Sequence, residues 1–277
     1  MTETTQKKGF LGGLMALPND DPRKTIFIAV LLCLVCSVLV STAAVALKGQ
    51  QTINKKNDIR KNILAVTGMY EAGMDIDAAF EQFDVRLVNF ETDSYADNDL
   101  DPVTFDQYKA SASPEYGVNI PGNEDIAGIG NRAKFAPIYL LRDPDTNAVQ
   151  QVILPVSGYG LWSTMYGFLS VEADLNTISG LRFYQHAETP GLGGEIDNPR
   201  WRNKWEGKQI YDENGNVELR VMRGFVDENA SNAEYKVDGL SGATLTSQGV
   251  SNMMVYWLGE QGFGPFLQNL RTELENN

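Results

Sequence analysis

The pattern of apolar and polar positions begins with one long apolar run. From Thr25 to Leu47, TIFIAVLLCLVCSVLVSTAAVAL, 23 residues pass without a charge. About 20 apolar residues cross a hydrocarbon core of roughly 30 Å, so the run predicts a transmembrane helix. No second run approaches this length, which allows one crossing at most. A cleaved export signal is the competing reading, and Ala44-Val45-Ala46 has the form of a cleavage site. Such signals carry an apolar core of about 7–15 residues, which favours a retained anchor here. Beyond it, Ile53, Ile59, Ile63, Leu64 and Val66 recur on a polar background from Lys48 to Met69. That spacing predicts a helical stalk continuing from the anchor.

The remainder alternates between strand and helix periods. A short helix is expected over Asp75 to Phe83 and a strand over Val85 to Phe90. Glu91 to Asn131, rich in Asp, Asn, Gly, Ser and Pro, reads as loop. Ala136 to Leu141 and Val149 to Leu154 flank Asp143-Pro-Asp-Thr-Asn147, a hairpin signal. Thr164 to Glu172 pairs in the same way with Thr177 to Tyr184. A third hairpin is expected from Gln209 to Tyr211 and Val217 to Met222. Near the C-terminus Val250, Met253, Met254, Trp257 and Leu258 follow the helical period, and Pro265 opens a last helix. Antiparallel strands with flanking helices predict an α+β domain behind one membrane helix.

Charge narrows the functional classes. The net charge of −13 supplies no excess of Lys and Arg to displace phosphate counterions, so no nucleic-acid partner is expected. Both cysteines, Cys33 and Cys36, lie within the apolar run, and the rest of the chain has none to form a disulfide. With no His or further Cys nearby, they read as small apolar filler and not as a metal site.

The chemistry concentrates in Val237-Asp-Gly-Leu-Ser-Gly-Ala-Thr-Leu-Thr-Ser-Gln-Gly-Val250. The following helix must start near Leu245 to Ser247, where Thr246 or Ser247 is placed to cap it. Ser241-Gly242-Ala243-Thr244 therefore feeds a helix N-terminus, where free N–H groups and the macrodipole favour an anion such as phosphate. On spacing alone a glycine turn with a hydroxyl cap competes with that reading. A Walker lysine is absent and the glycine spacing is not the dinucleotide fingerprint, so a noncovalent nucleotide site is poorly supported.

DGLSGATLTS resembles the flavinylation motif of the FMN-binding family. In that family the threonine of Ser/Thr-Gly-Ala-Thr carries FMN through a phosphoester bond; here it is Thr244. The resemblance implies that a separate flavin transferase catalyses the attachment and that Asp238 helps present the segment to it. Ser241, Gly242, Ala243, Leu245 and Thr246 flank the attachment point. Glu188-Thr-Pro-Gly-Leu-Gly-Gly194 is similar to the family's loop beside the isoalloxazine ring, with Glu188, Thr189, Gly191 and Leu192 as candidate contacts. Ser157-Gly-Tyr-Gly-Leu-Trp-Ser-Thr-Met165 places Trp162 where the family has its flavin pocket, although a buried tryptophan is more often core. His186, the sole histidine, reads as structural.

The resemblance runs almost the whole length. GGEIDNPRWRNKW and the closing GFGPFL are similar to the C-subunit family of Na+-translocating NADH:quinone oxidoreductases, more than to the related G-subunit family of Rnf complexes. It implies residues 1–24 as a cytoplasmic tail, 25–47 as the anchor, 48–130 as stalk and loops, and 131–277 as the FMN domain. It further implies a bacterial inner-membrane location with that domain in the periplasm, single-electron transfer from NADH toward ubiquinone, and sodium transport. The expected partners are subunits A, B, D, E and F, the flavin transferase and membrane lipid. Lys7, Lys8, Arg23 and Lys24 precede the anchor while Lys48, Lys55, Lys56, Arg60 and Lys61 follow it, so charge alone leaves the orientation tied. A membrane-anchored sensory or binding domain without flavin is the alternative from another class.

Overall fold

The computed structural model describes residues 17–276. The expected tail at 1–24 therefore lies mostly outside the described residues. Helix α1 runs unbroken over Pro22–Val66, 45 residues. At 1.5 Å per residue its 23-residue apolar stretch is about 35 Å long, enough to span a bilayer core. Along that stretch the apolar side chains point outward: Ile26, Val30, Leu32, Leu39 and Val40 are all exposed. The chain divides into two compact units, one ending at Lys56 and one beginning at Asn57.

In the second unit the end of α1 is a core element, with Ile63 and Leu64 fully buried. Next come α2 (Ile76–Phe80), capped by the Asp75 carboxylate, and strand β1 (Phe83–Asn89). Short elements occupy the segment expected as loop: β2 (Ser94–Tyr95), α3 (Gln107–Ser111), β3 (Gly117–Asn119) and β4 (Asn131–Ala133). Asp106 caps α3 through two backbone N–H groups, so its aspartate works as a helix start and not as loop filler.

Four long strands follow: β5 (Phe135–Arg142), β6 (Val149–Tyr159), β7 (Thr164–Glu172) and β8 (Ile178–Gln185). They form one antiparallel sheet in the order β2-β1-β5-β6-β7-β8. Strand β1 pairs with β5 at seven positions, so the sheet crosses residue 131. Both predicted hairpins joining β5 to β6 and β7 to β8 are present.

Strand period explains why the central strands are buried on both faces. Val152, Leu154 and Val156 belong to one core and the intervening Ile153 to the other. Ala136, Ile138 and Leu140 alternate in the same way with Tyr139 and Leu141. One core packs under the C-terminal helices. The other packs under the end of α1 and α2, with Phe80, Phe83 and Phe168 filling it.

After β8 come a 3-10 turn at Gly193–Asp197, the short helix α4 (Pro199–Arg202), β9 (Arg220–Val221) and β10 (Lys236–Val237). The third expected hairpin is corrected here. It survives only as an isolated bridge between Tyr211 and Val217, and β9 pairs in parallel with β10 instead. Asp212 accepts the N–H groups of Asn214 and Asn216 and closes the turn tightly. The Val221 N–H is then drawn to the Ser251 hydroxyl, away from the hairpin.

Helix α5 (Thr244–Leu258) and helix α6 (Gly264–Glu275) complete the unit. Across the end of β6, α5 packs through small residues: a Cβ on Gly158 would stand 2.7 Å from the Met253 Cβ. The Trp257 Nε1–H donates to the Ser157 carbonyl at 2.7 Å and fixes the register of helix on strand. On α5, Gly249 faces the Tyr159 carbonyl, where an added Cβ would overlap. Gly→Ala within a helix ordinarily stabilises by about 1 kcal/mol. Gly249→Ala is expected to do the reverse and lower the thermal midpoint of the full chain in detergent, read by circular dichroism; an unchanged or raised midpoint would show that α5 can shift off β6.

Candidate functional site

The start of α5 differs from the expectation of a hydroxyl cap. Ala243 occupies the N-cap with no side-chain cap, and Thr244 is the first helical residue. Thr246 and Ser247 do not cap, because both hydroxyls are used elsewhere. The Leu240 N–H donates to Ser247 Oγ at 3.0 Å, closing the turn that precedes the helix. The Thr246 hydroxyl donates to Glu188 Oε2 at 2.6 Å. Gly242, at φ +72°, makes that turn in the left-handed region, and a Cβ there would lie 3.1 Å from Leu192.

Glu188 joins three segments. Its Oε1 accepts the N–H groups of Leu161 and Trp162, each at 3.0 Å, while Oε2 takes the Thr246 hydroxyl. The carboxylate is packed among glycines: a Cβ on Gly160 would stand 2.5 Å from Oε1, and one on Gly193 would stand 2.7 Å from Oε2. Burial pushes the Glu188 carboxyl up, but the Thr246 hydroxyl and the N–H groups of Trp162, Leu161 and Ser163 outweigh it and hold it below the usual range. His186 supports the same corner. Its Nδ1 accepts the Glu188 N–H at 3.1 Å, which assigns the proton to Nε2 for the 2.9 Å bond to Asp197.

Asp238 is occupied differently. It pairs with Lys204 and accepts the Val226 N–H at 2.7 Å, while the Trp201 indole donates to its carbonyl at 2.8 Å. Burial raises its carboxyl; the Lys204 hydrogen bond, the Val226 N–H and the Lys204 and Lys208 charges outweigh this and hold it low. Neither Trp201 nor Lys204 was expected at the site, although both lie in the GGEIDNPRWRNKW segment.

Around Thr244 the surface is open and partly apolar. Thr244, Ser241, Gly242 and Leu245 are exposed, as are Thr189, Gly191 and Leu192 of the neighbouring loop. The Thr189 carbonyl closes that loop, accepting the N–H groups of Leu192 and Gly194. Trp162 is 64 % exposed, so it is not the core residue a tryptophan usually is. Gly160, Leu161 and Gly193 were not expected as site residues; the density of glycine in SGYGLW and ETPGLGG was the available signal.

The FMN-binding domain family matches residues 160–259, a span that includes all three segments. The chain is 44% identical over 257 residues to the C subunit of the Na(+)-translocating NADH-quinone reductase of Pseudomonas aeruginosa, covering 91% of this chain and 97% of the relative. The protein of the same name from Vibrio anguillarum is 42% identical, with 93% and 98% covered. The chain belongs to the C-subunit family of Na+-translocating NADH-quinone reductases. Its fold matches the crystal structure of Shewanella oneidensis NqrC at a TM-score of 0.72 and 33% identity, over 79% of this chain and 99% of that one. A second C-subunit structure, from Parabacteroides distasonis, aligns at a TM-score of 0.62 and 27% identity over 80% and 96%. The C-terminal unit thus carries an FMN-binding domain of an oxidoreductase complex.

The Glu188–Thr246 bond makes a stability prediction. Thr246→Val leaves the buried Oε2 without its donor, a loss of about 1–3 kcal/mol. Because the Glu188 pKa is depressed on folding, its contribution is present above the unfolded glutamate value and is lost as pH falls through the folded one. Denaturant unfolding from pH 7 downward should show wild type and Thr246→Val converging in acid; a gap that stays constant would mean that the carboxylate charge is not involved.

Proposed function

We propose that this chain carries FMN as a phosphoester on Thr244 and relays single electrons through its membrane complex toward quinone, in a reaction coupled to sodium export. One observation carries the attachment point: of the hydroxyls at the start of α5, Thr246 and Ser247 are buried and hydrogen-bonded, whereas Thr244 is exposed. Ser241 is also exposed, and the family motif distinguishes Thr244 from it.

The residues fit the group. An exposed hydroxyl on the first residue of α5 sets a phosphate against an N-terminus that no side chain caps, where N–H groups and the macrodipole favour negative charge. Leu192, Leu245 and Trp162 offer exposed apolar surface for a planar ring. FMN, once bound, supplies the one-electron chemistry, and the protein supplies attachment and orientation. Thr189 and Gly191 are further candidate ring contacts. Asp238, paired with Lys204, holds the segment before the helix in the shape that a flavin transferase must recognise.

The remaining parts of the proposal follow the family. Subunits A, B, D, E and F are the expected partners in a bacterial inner membrane, α1 crosses once within lipid, and residues 48–277 lie in the periplasm.

Thr244→Ala, co-expressed with a flavin transferase, should lose the ultraviolet-fluorescent band on a denaturing gel while keeping its folded circular dichroism. A band retained on that variant would sink the assignment. For topology, a cysteine placed at the exposed Asn98 should react with an impermeant thiol reagent from the periplasmic side. Labelling from the cytoplasmic side alone would reverse the orientation.

A further inference from the structure

Glu188 differs from an ordinary ligand contact in where its oxygens point. The residue is 5 % exposed, and its donors include the neutral N–H groups of Leu161 and Trp162 and the Thr246 hydroxyl. These bonds reach 27, 26 and 58 residues along the chain, from the loop after β6, through the loop after β8, to the first turn of α5. A second bond, from the Ala187 N–H to Ser163 Oγ at 2.8 Å, fastens the first two loops together. The Glu188–Thr246 bond then ties that pair of loops to the helix. It lies two residues beyond Thr244, on the same helical turn.

A phosphoester is a flexible tether. Rotation about its single bonds leaves the ring of an attached flavin many orientations unless the surrounding surface is fixed. Trp162 and Leu192 belong to the two loops, and Leu245 to the helix. Their mutual placement depends on how the loops meet the helix. Gly160 and Gly193 make room for the carboxylate at this junction, since a side chain at either position would overlap it.

We propose that Glu188 is a positioning residue for the flavin: by clamping the Leu161–Trp162 loop to the first turn of α5, it fixes the orientation of a ring tethered at Thr244 without touching that ring. The proposal rests on the attachment at Thr244 and deepens it. It also moves Glu188 from the candidate cofactor contacts to the frame behind them.

The test uses the full chain, flavin-loaded and purified in detergent, as wild type, Glu188→Gln, Thr246→Val and Thr246→Ser. Glu188→Gln and Thr246→Val should keep the fluorescent band on a denaturing gel. Both should change the visible circular dichroism of the flavin and shift its midpoint potential. Thr246→Ser, which keeps the hydroxyl, should restore both signals to wild type. Wild-type dichroism and potential in Glu188→Gln and Thr246→Val would overturn the proposal, as would Thr246→Ser behaving like Thr246→Val. A folded variant that lost the band would place Glu188 at the attachment step, which also overturns it. If Glu188→Gln fails to fold, the Val and Ser pair at 246 decides alone. A wild-type chain without the band would instead sink the attachment at Thr244, a separate failure.

Discussion

Helix α5 can reach the edge of the site because it lies close against β6. Gly249 sits against the Tyr159 carbonyl, Gly158 accommodates Met253, and the Trp257 indole locks onto the Ser157 carbonyl. Larger residues at these glycines would lift the helix by part of a side-chain diameter, and everything at its N-terminus would move with it. The loops after β6 and β8 come from strands separated in the sheet only by β7. A helix resting on the end of β6 therefore meets both. Close packing turns three distant stretches of sequence into one surface.

The parts of this arrangement that the sequence revealed are those governed by periodicity. Alternation in Val149 to Leu154 and Thr164 to Glu172, and the helical spacing from Val250 to Leu258, follow directly from which face is buried. The uncharged run from Thr25 to Leu47 is equally plain, because bilayer thickness dictates its length. Loop structure was less legible. Asp106 could be read as a cap only with knowledge of where its neighbours turn, and the β9–β10 pairing joins residues that no local rule connects.

For the site, the motif singled out Thr244, but residue type misassigned its neighbours. Thr246 and Ser247 have the chemistry of helix caps, and a cap is the default use of such hydroxyls. Tertiary partners overrode it: a buried carboxylate for one and the Leu240 N–H for the other. Trp162 stands mostly in solvent where a tryptophan is more often core, because its backbone, not its ring, is what Glu188 holds. Hydrogen bonds spanning 26 to 58 residues leave no periodic trace in a sequence.

The electrostatics of this corner are unusual for a chain with a net charge of −13. Glu188 is buried and ionised with neutral donors around it, and the proposed phosphoester would add a second anion at Thr244, two residues before its Thr246 partner. Like charges held near one helical turn repel, and more strongly where water is excluded. The N-terminus of α5 reduces that conflict, since it presents partial positive charge and N–H groups that no side chain has claimed. Capping by Thr246 or Ser247 would have spent one of those groups on a hydroxyl. Leaving the helix uncapped by side chains keeps them available to anions, and the diverted Thr246 hydroxyl is itself what satisfies Glu188. The missing cap and the buried carboxylate are therefore two consequences of a single rearrangement of hydrogen bonds.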